Sequence, residues 1–392
     1  MSFDEVRVGD VLTFQRGFDI TKIDQAEGSI PIVSSSGTSS FHNRWKVDGP
    51  GVVIGRKGTL GTTHFLNSKF WPHDTTLWVK DFKGNDPKFL YYFLQTLHLE
   101  NFDSGSSNPT LNRNHLHKIK VRFPQTLKTQ QKIAAILASY DDLISNNQRC
   151  IGLLAPMAED IYREWFVRLR FPGHKQAKVE KGVLEGWSLV RTEKAFRFYG
   201  GATPARDTPR YWQNGDVNWF TPTDITGADG MFLAASGEQC TEEGLRSCSS
   251  TLFPPYSVMM TSRATIGAIG INLTPACTNQ GFITCIPNDV YPLAYLYHWL
   301  KLGKPHFESL SGGSTFAELT KGTFKRMEIL TPPQPLVQQF QQLVAPMFKT
   351  IENCLKANAN LKATRDSLLP RLISGKLAVD KLDIHFPPDM AN

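Results

Sequence analysis

Val52-Val53-Ile54-Gly55-Arg56-Lys57-Gly58-Thr59-Leu60-Gly61 recurs later in the same chain as Val258-Met259-Met260-Thr261-Ser262-Arg263-Ala264-Thr265-Ile266-Gly267. Setting Thr59-Leu60-Gly61 onto Thr265-Ile266-Gly267 places the copies 206 residues apart, with one residue of slippage before that anchor. Downstream, Pro124-Gln125 and Leu127 recur as Pro333-Gln334 and Leu336. Between the anchors lie two short apolar helices, Phe89-Leu90-Tyr91-Tyr92-Phe93-Leu94 and Leu293-Ala294-Tyr295-Leu296-Tyr297-His298-Trp299-Leu300. Each is followed by a Gly/Ser loop, Asp103–Ser107 and Ser311–Thr315. One module, used twice, accounts for most of the chain.

Each module opens with short apolar runs broken by Gly, Pro and Asp. Val8-Gly9-Asp10-Val11-Leu12-Thr13-Phe14 in the first stands at a stage comparable to Asp216-Val217-Asn218-Trp219-Phe220-Thr221-Pro222 in the second. Turn-punctuated β-rich runs with one or two helices predict an α+β module. After each module the pattern changes to a 4-3 spacing. The first series is Ile133, Leu137, Tyr140, Ile144, Asn147, Ile151, Leu154, Ala158, Ile161 and Trp165. The second is Phe340, Val344, Met347, Ile351, Cys354, Asn358, Leu361, Arg365, Leu368 and Leu372. Both read as long helices with a coiled-coil seam. Pro156 and Pro370 are expected to kink or locally unwind them, since proline removes an i→i−4 hydrogen bond. Packed antiparallel on each other, helices of this length span about 60 Å at 1.5 Å per residue and act as a spacer.

The chain of 392 residues holds 43 Lys+Arg against 36 Asp+Glu, a net charge of +7 that mildly favours an anionic partner. Its six cysteines form no CxxC pair and no zinc spacing, so a structural metal site is not expected. Scattered thiols without a secretory leader fit a reduced, cytoplasmic protein, and no apolar run is long enough to span a membrane.

Several segments resemble those of type I restriction–modification DNA-specificity subunits. Ile161-Tyr162-Arg163-Glu164-Trp165-Phe166-Val167 is similar to the signature closing the family's first conserved region. Leu368-Leu369-Pro370-Arg371-Leu372-Ile373-Ser374-Gly375-Lys376-Leu377 is similar to the one closing the second. Gly55–Gly61 and Ser262–Gly267 resemble the motif within each target-recognition domain, and Thr278-Asn279-Gln280-Gly281-Phe282 adds to this. The order of parts matches along nearly the whole chain. The resemblance implies an α+β fold with two duplicated target-recognition domains, separated by two long antiparallel coiled-coil helices in a pseudo-two-fold, circular arrangement. The segments are then 1–125, recognition domain one; 126–169, first helix; 170–332, recognition domain two; 333–378, second helix; and 379–392, a tail. It further implies double-stranded DNA as ligand, each domain reading half of a bipartite site. The helices then set the gap and dock two methyltransferase subunits, through Ile133, Leu137, Tyr140, Ile144, Ile151, Leu154, Ile161 and Trp165 and through Phe340, Met347, Ile351, Leu361, Leu368 and Leu372. S-adenosylmethionine belongs to those partners, cleavage to translocase–nuclease subunits, and no cofactor or catalytic residue to this chain.

Arg and Lys suit guanine and phosphate, Asn and Gln suit adenine. The candidates are Arg56, Lys57, Asn112 and Arg113 in the first module, and Arg206, Arg210, Arg263, Asn279 and Gln280 in the second. Arg56 and Arg263 lie in the repeated motif, and the modules must read different half-sites. A shared residue is therefore better suited to phosphate or to the fold than to choosing a base. Asn279 and Gln280 fall opposite His73 and Asp74, so that position varies, as do the loops 35–48 and 202–215. Phe253-Pro254-Pro255-Tyr256 misses the amino-methyltransferase loop, because phenylalanine cannot hold an amino group, and reads as structural. Gly55-Arg56-Lys57-Gly58 lacks the phosphate-loop pattern, and the histidines, His115 and His117 included, form no ligand set. The alternative reading is a non-enzymatic scaffold built on duplicated modules and a coiled coil.

Overall fold

The computed structural model describes residues 3–102, 110–180, 183–312, 317–384 and 386, so parts of both Gly/Ser loops lie outside the described residues. Contacts group the chain into two compact units, Met1–Ser145 with Asn358–Asn392, and Asn146–Ala357.

In the first unit an antiparallel sheet runs in the order Thr13–Arg16, Thr76–Asp81, Gly51–Gly55, Thr63–Leu66. A three-stranded sheet joins the hairpin Gly37–His42 and Ile30–Ser34 to the parallel strand Trp71–Pro72. Phe3–Arg7 pairs with Lys120–Pro124. The second unit repeats this plan. Phe198–Gly200, Phe282–Cys285, Val258–Thr261 and Ile269–Asn272 follow the same order, with Phe232–Leu233 added at the edge. Gln239–Cys240, Val217–Phe220 and Ala276–Thr278 repeat the three-stranded sheet, and Ser188–Arg191 pairs with Glu328–Thr331. The register repeats as well: Val53 faces Trp78, and Met259 faces Thr284.

This topology corrects one sequence pairing. The counterpart of Val8–Val11, a short helix, is the helix Thr192–Ala195, and that of Thr13–Arg16 is Phe198–Gly200. Val217–Phe220 matches Ile30–Ser34 instead. The misalignment arises because the second unit is longer between these strands and its central strand. It inserts the helices Pro222–Thr226 and Glu242–Arg246 there.

The helix Pro87–Gln95 forms because Asp86 caps it, its side chain accepting from Phe89 N at 2.7 Å, and because proline is preset for the first turn. Its buried residues Phe89, Leu90, Tyr92, Phe93 and Leu94 join the core of the first unit. Leu293–Leu302 has the same role in the second and follows Pro292.

The long helices span Leu127–Tyr162 and Gln334–Ile373, and five residues of π-helix, Arg163–Val167, follow the first. Within the first unit Ile133 and Leu137 pack in one core with Leu368 and Leu372. There Asp141 accepts a hydrogen bond from Tyr92 at 2.6 Å and pairs with Arg365, while Asn358 Nδ2 donates to Ile144 O at 3.5 Å. Within the second unit Phe340 lies among Tyr162, Trp165 and Phe166, and Ile151, Leu154, Ile161 and Met347 pack against the same core that holds buried Ile351 and Phe348. In the first unit the partner of Asp141 is Arg365 and that of Ile144 is Asn358, so residue numbers fall on one helix as they rise on the other and the paired stretches are antiparallel there. Tyr140 and Leu361 are half-buried. Helical hydrogen bonding continues through Pro156 and Pro370, and the expected unwinding does not occur. The carbonyls they leave unbonded belong to exposed Gly152 and Asp366, where water can satisfy them. No helix among the described residues is long and apolar enough to cross a membrane.

His298 lies in the second core, 1% exposed, with Nδ1 donating to Ala294 O at 2.7 Å and its ring stacked on Tyr162. Burial lowers its pKa from 6.5 to about 4. A base with a depressed folded pKa contributes full stability above its unfolded value and loses it as pH falls toward the folded one. Between pH 6.5 and 4 this residue is expected to cost the fold about 3 kcal/mol. Melting temperatures of His298→Asn, which keeps a donor near Nδ1, should be flatter over that window than those of the parent chain. Parallel curves would contradict the assignment.

Candidate nucleic-acid interface

The repeated motif is a turn held to its neighbours by the same backbone bonds in both units. Gly61 N donates to Gly55 O at 3.0 Å, and Gly267 N to Thr261 O at 2.9 Å. Arg56 N donates to Thr75 O at 2.8 Å, and Ser262 N to Gly281 O at 2.7 Å. Arg56 O accepts from Leu111 N at 3.0 Å, and Ser262 O from Leu319 N at 2.9 Å. Arg56 therefore corresponds to Ser262, and Lys57 to Arg263, at a constant offset without slippage. The pairing of Arg56 with Arg263 was a one-residue error, made because arginine matched arginine while the backbone did not. The shared cation is Lys57/Arg263. Gly58 and Ala264 both adopt a positive φ, +77° and +57°, which costs the alanine about 1 kcal/mol.

The remaining candidates occupy distinct settings. Lys57 is half-buried, while Asn112 caps the helix Arg113–Leu116 by accepting from Asn114 N at 2.9 Å, leaving Arg113 exposed. Arg206 pairs with Glu238 at 2.6 Å, its guanidinium lying 4.2 Å from the Trp212 ring centroid and 4.6 Å from that of Trp219. Arg210 pairs with Glu243 at 3.1 Å, and Arg263 with Glu318 at 2.9 Å. Asn279 Oδ1 accepts from Gly281 N at 2.9 Å, and exposed Gln280 accepts from Thr203 Oγ1 at 2.7 Å. All three candidate arginines of the second unit, Arg206, Arg210 and Arg263, thus hold a carboxylate, which any DNA contact must share or displace. The segment 35–48, expected as a loop, contains the hairpin strand Gly37–His42; on it Phe41 is 56% exposed, and Trp45 beyond it is 46% exposed. His117 is structural, its Nε2 accepting from Phe14 N at 3.0 Å. Phe253 is buried and bridges Ala276, and Tyr256 donates to Glu352 at 3.3 Å, so the Phe-Pro-Pro-Tyr stretch is part of the scaffold.

One cluster was missed in the sequence. Arg16 Nη2 lies 2.9 Å from Asp74 Oδ2, and Arg56 Nη1 donates to Asp74 O at 3.4 Å. Burial, then repulsion from Arg16, lowers the Arg56 pKa, while Asp74 works to raise it. Arg16, Lys46, Trp71 and Asp74 line an open groove of about 450 Å³. Asp19, His73 and Asp74 also bring three potential metal-ligand atoms within 4.8 Å, although no ligand spacing appears in the sequence. Arg16 already supplies Asp74 with a cation, which disfavours a metal at that carboxylate.

The model of the type I restriction modification DNA specificity domain matches residues 2–152 and 185–364. The chain belongs to this family. The type I restriction enzyme MjaIX specificity subunit of Methanocaldococcus jannaschii is 33% identical over 182 residues, 46% of this chain and 42% of that protein. The HindI specificity subunit of Haemophilus influenzae is 28% identical over 199 residues, 50% of this chain and 42% of that one. A putative type I specificity subunit of Mycoplasma pneumoniae is 23% identical over 363 residues, 90% of this chain and 91% of that protein. The chain spans less than half the length of the first two relatives it matches. The crystal structure of a type I restriction–modification S subunit from M. genitalium superposes with a TM-score of 0.67 at 14% identity, covering 95% of this chain and 96% of that one. Both family segments contain one copy of the turn, so the duplicated fold and the family match coincide.

Proposed function

We propose that this chain is a non-catalytic, cytoplasmic DNA-specificity subunit in which each unit's recognition domain reads one half of a bipartite double-stranded site. The long helices set the unread gap and dock two methyltransferase subunits, which bring S-adenosylmethionine; translocase–nuclease subunits complete the assembly. The observation that carries this reading is the repeated turn and its two sheets, built on one backbone plan but dressed with different side chains. Two half-sites present the same phosphate backbone and different base edges, so a shared scaffold with divergent side chains suits the task. A rigid helical element suits a fixed gap, because half-site spacing is set by protein geometry. The net charge of +7 supports phosphate contact, and Lys57 and Arg263 are assigned to it as the cation common to both units.

Mixing tests the proposal. The purified chain should bind DNA weakly and transfer no methyl group from S-adenosylmethionine. With the methyltransferase of its own system it should prefer its site over random DNA by about a thousandfold or more. Methyl transfer by the chain alone would contradict the assignment, and binding without sequence preference in the mixture would favour a scaffold.

A further inference from the structure

The two recognition domains place a cation at one equivalent point by different routes. Gly17 packs against the strand end at Pro72-His73, and Phe18 N donates to Pro72 O at 2.8 Å. Gly201 packs in the same way against Thr278-Asn279, with Ala202 N donating to Thr278 O at 3.0 Å. This matches Arg16 to Gly200 and Asp74 to Gln280. At Gly200 the space a side chain would enter is filled by the ammonium end of Lys321. Lys321 begins the helix that corresponds to Arg113–Leu116 and is therefore the counterpart of Arg113. The first domain thus presents a guanidinium held by a carboxylate. The second presents a point charge at the matching backbone position, and Gln280 stands where the first has Asp74.

We propose that Arg16, oriented by Asp74, is the guanine-selecting residue of the first recognition domain. The inference rests on the DNA-reading role proposed above. A cation at this point is common to both domains, but the planar fork of donors and the carboxylate that orients it are present in one. Reading guanine O6 and N7 depends on a correctly oriented fork of donors, and Asp74 fixes the orientation of this one. Arg16 is 54% exposed on the groove, and Asp74 is 18% exposed. Arginine keeps five donors on one plane, so spending Nη2 on Asp74 leaves an edge for a base. Gln280 suits adenine, so the second domain carries different chemistry at the matching position.

The test is a binding selection on random DNA with the methyltransferase-loaded complex. Arg16→Ala should lower discrimination about ten- to a hundredfold at one guanine of one half-site and leave the other half-site unchanged. Arg16→Lys, which keeps the charge, should lose the same preference with a smaller fall in total binding. Asp74→Asn, which removes a positioning charge, should broaden that same position. A motif unchanged in Arg16→Ala and Arg16→Lys, or weakening spread evenly over all sequences, would overturn the assignment. A parent complex that selects no sequence at all would overturn the DNA-reading role together with it.

Discussion

Phe340→Ala is expected to destabilise the Asn146–Ala357 unit by about 4 kcal/mol, the upper range for deleting a buried aromatic ring. Phe340 is fully buried, with ring centroids 5.0 Å from Phe166, 5.9 Å from Tyr162 and 6.1 Å from Trp165. Two of these neighbours, Trp165 and Phe166, lie on the π-turn and Tyr162 directly precedes it, so three rings on consecutive helical turns line the vacated space. The resulting cavity forfeits both transfer energy and ring–ring contacts. In a unit of this size the melting temperature should fall by about 10 °C. Leu343→Ala, on the same helix but 46% exposed, should change it by about 2 °C or less. Equal effects from the two would show that the helix is not anchored at Phe340.

The second large effect is expected from Gly17→Ala. A Cβ there would fall inside contact distance of the His73 carbonyl, with Pro72 O also only 2.6 Å away. Both obstacles are backbone of a paired strand, so no side chain can swing away, and the cost should reach about 3 kcal/mol. The segment carrying Arg16 would also part from Asp74, so recognition of the first half-site should fail at temperatures where the unit remains folded. Gly201→Ala should act the same way on the second half-site, since its Cβ would meet Thr278 and Asn279 carbonyls. Gly152→Ala is the contrast: nothing lies within 4 Å of its Cβ, and mid-helix alanine should add up to about 1 kcal/mol. Chemical denaturation of the three variants, read beside half-site binding, checks both parts. Gly17→Ala with parent stability and binding would contradict the close approach.

The duplication and the two long helices were legible because their signals are local in sequence. A repeated ten-residue stretch and a 4-3 apolar spacing survive without any knowledge of what packs where. Buried seam residues such as Ile133, Leu137, Ile144, Phe340, Ile351 and Leu372 follow directly from that spacing. What was not legible depends on strand pairing over long separations. Arg16 and Asp74 meet only because Thr13–Arg16 lies beside Thr76–Asp81. Lys321 reaches the Gly200 position from the far end of its domain. The one-residue error at Arg56 has a similar origin: identity of side chain outweighed a backbone equivalence visible only in hydrogen bonds. Continuity of the helices at Pro156 and Pro370 depended on whether the released carbonyls face water, which the exposed Gly152 and Asp366 provide.

The most direct test of the specificity role is the adenine methylome of the host, sequenced with the gene for this chain intact and deleted. The proposal predicts one bipartite motif with a fixed gap, methylated in the first strain and unmethylated in the second. A methylome identical in both strains, while the partner methyltransferase is active, would contradict it.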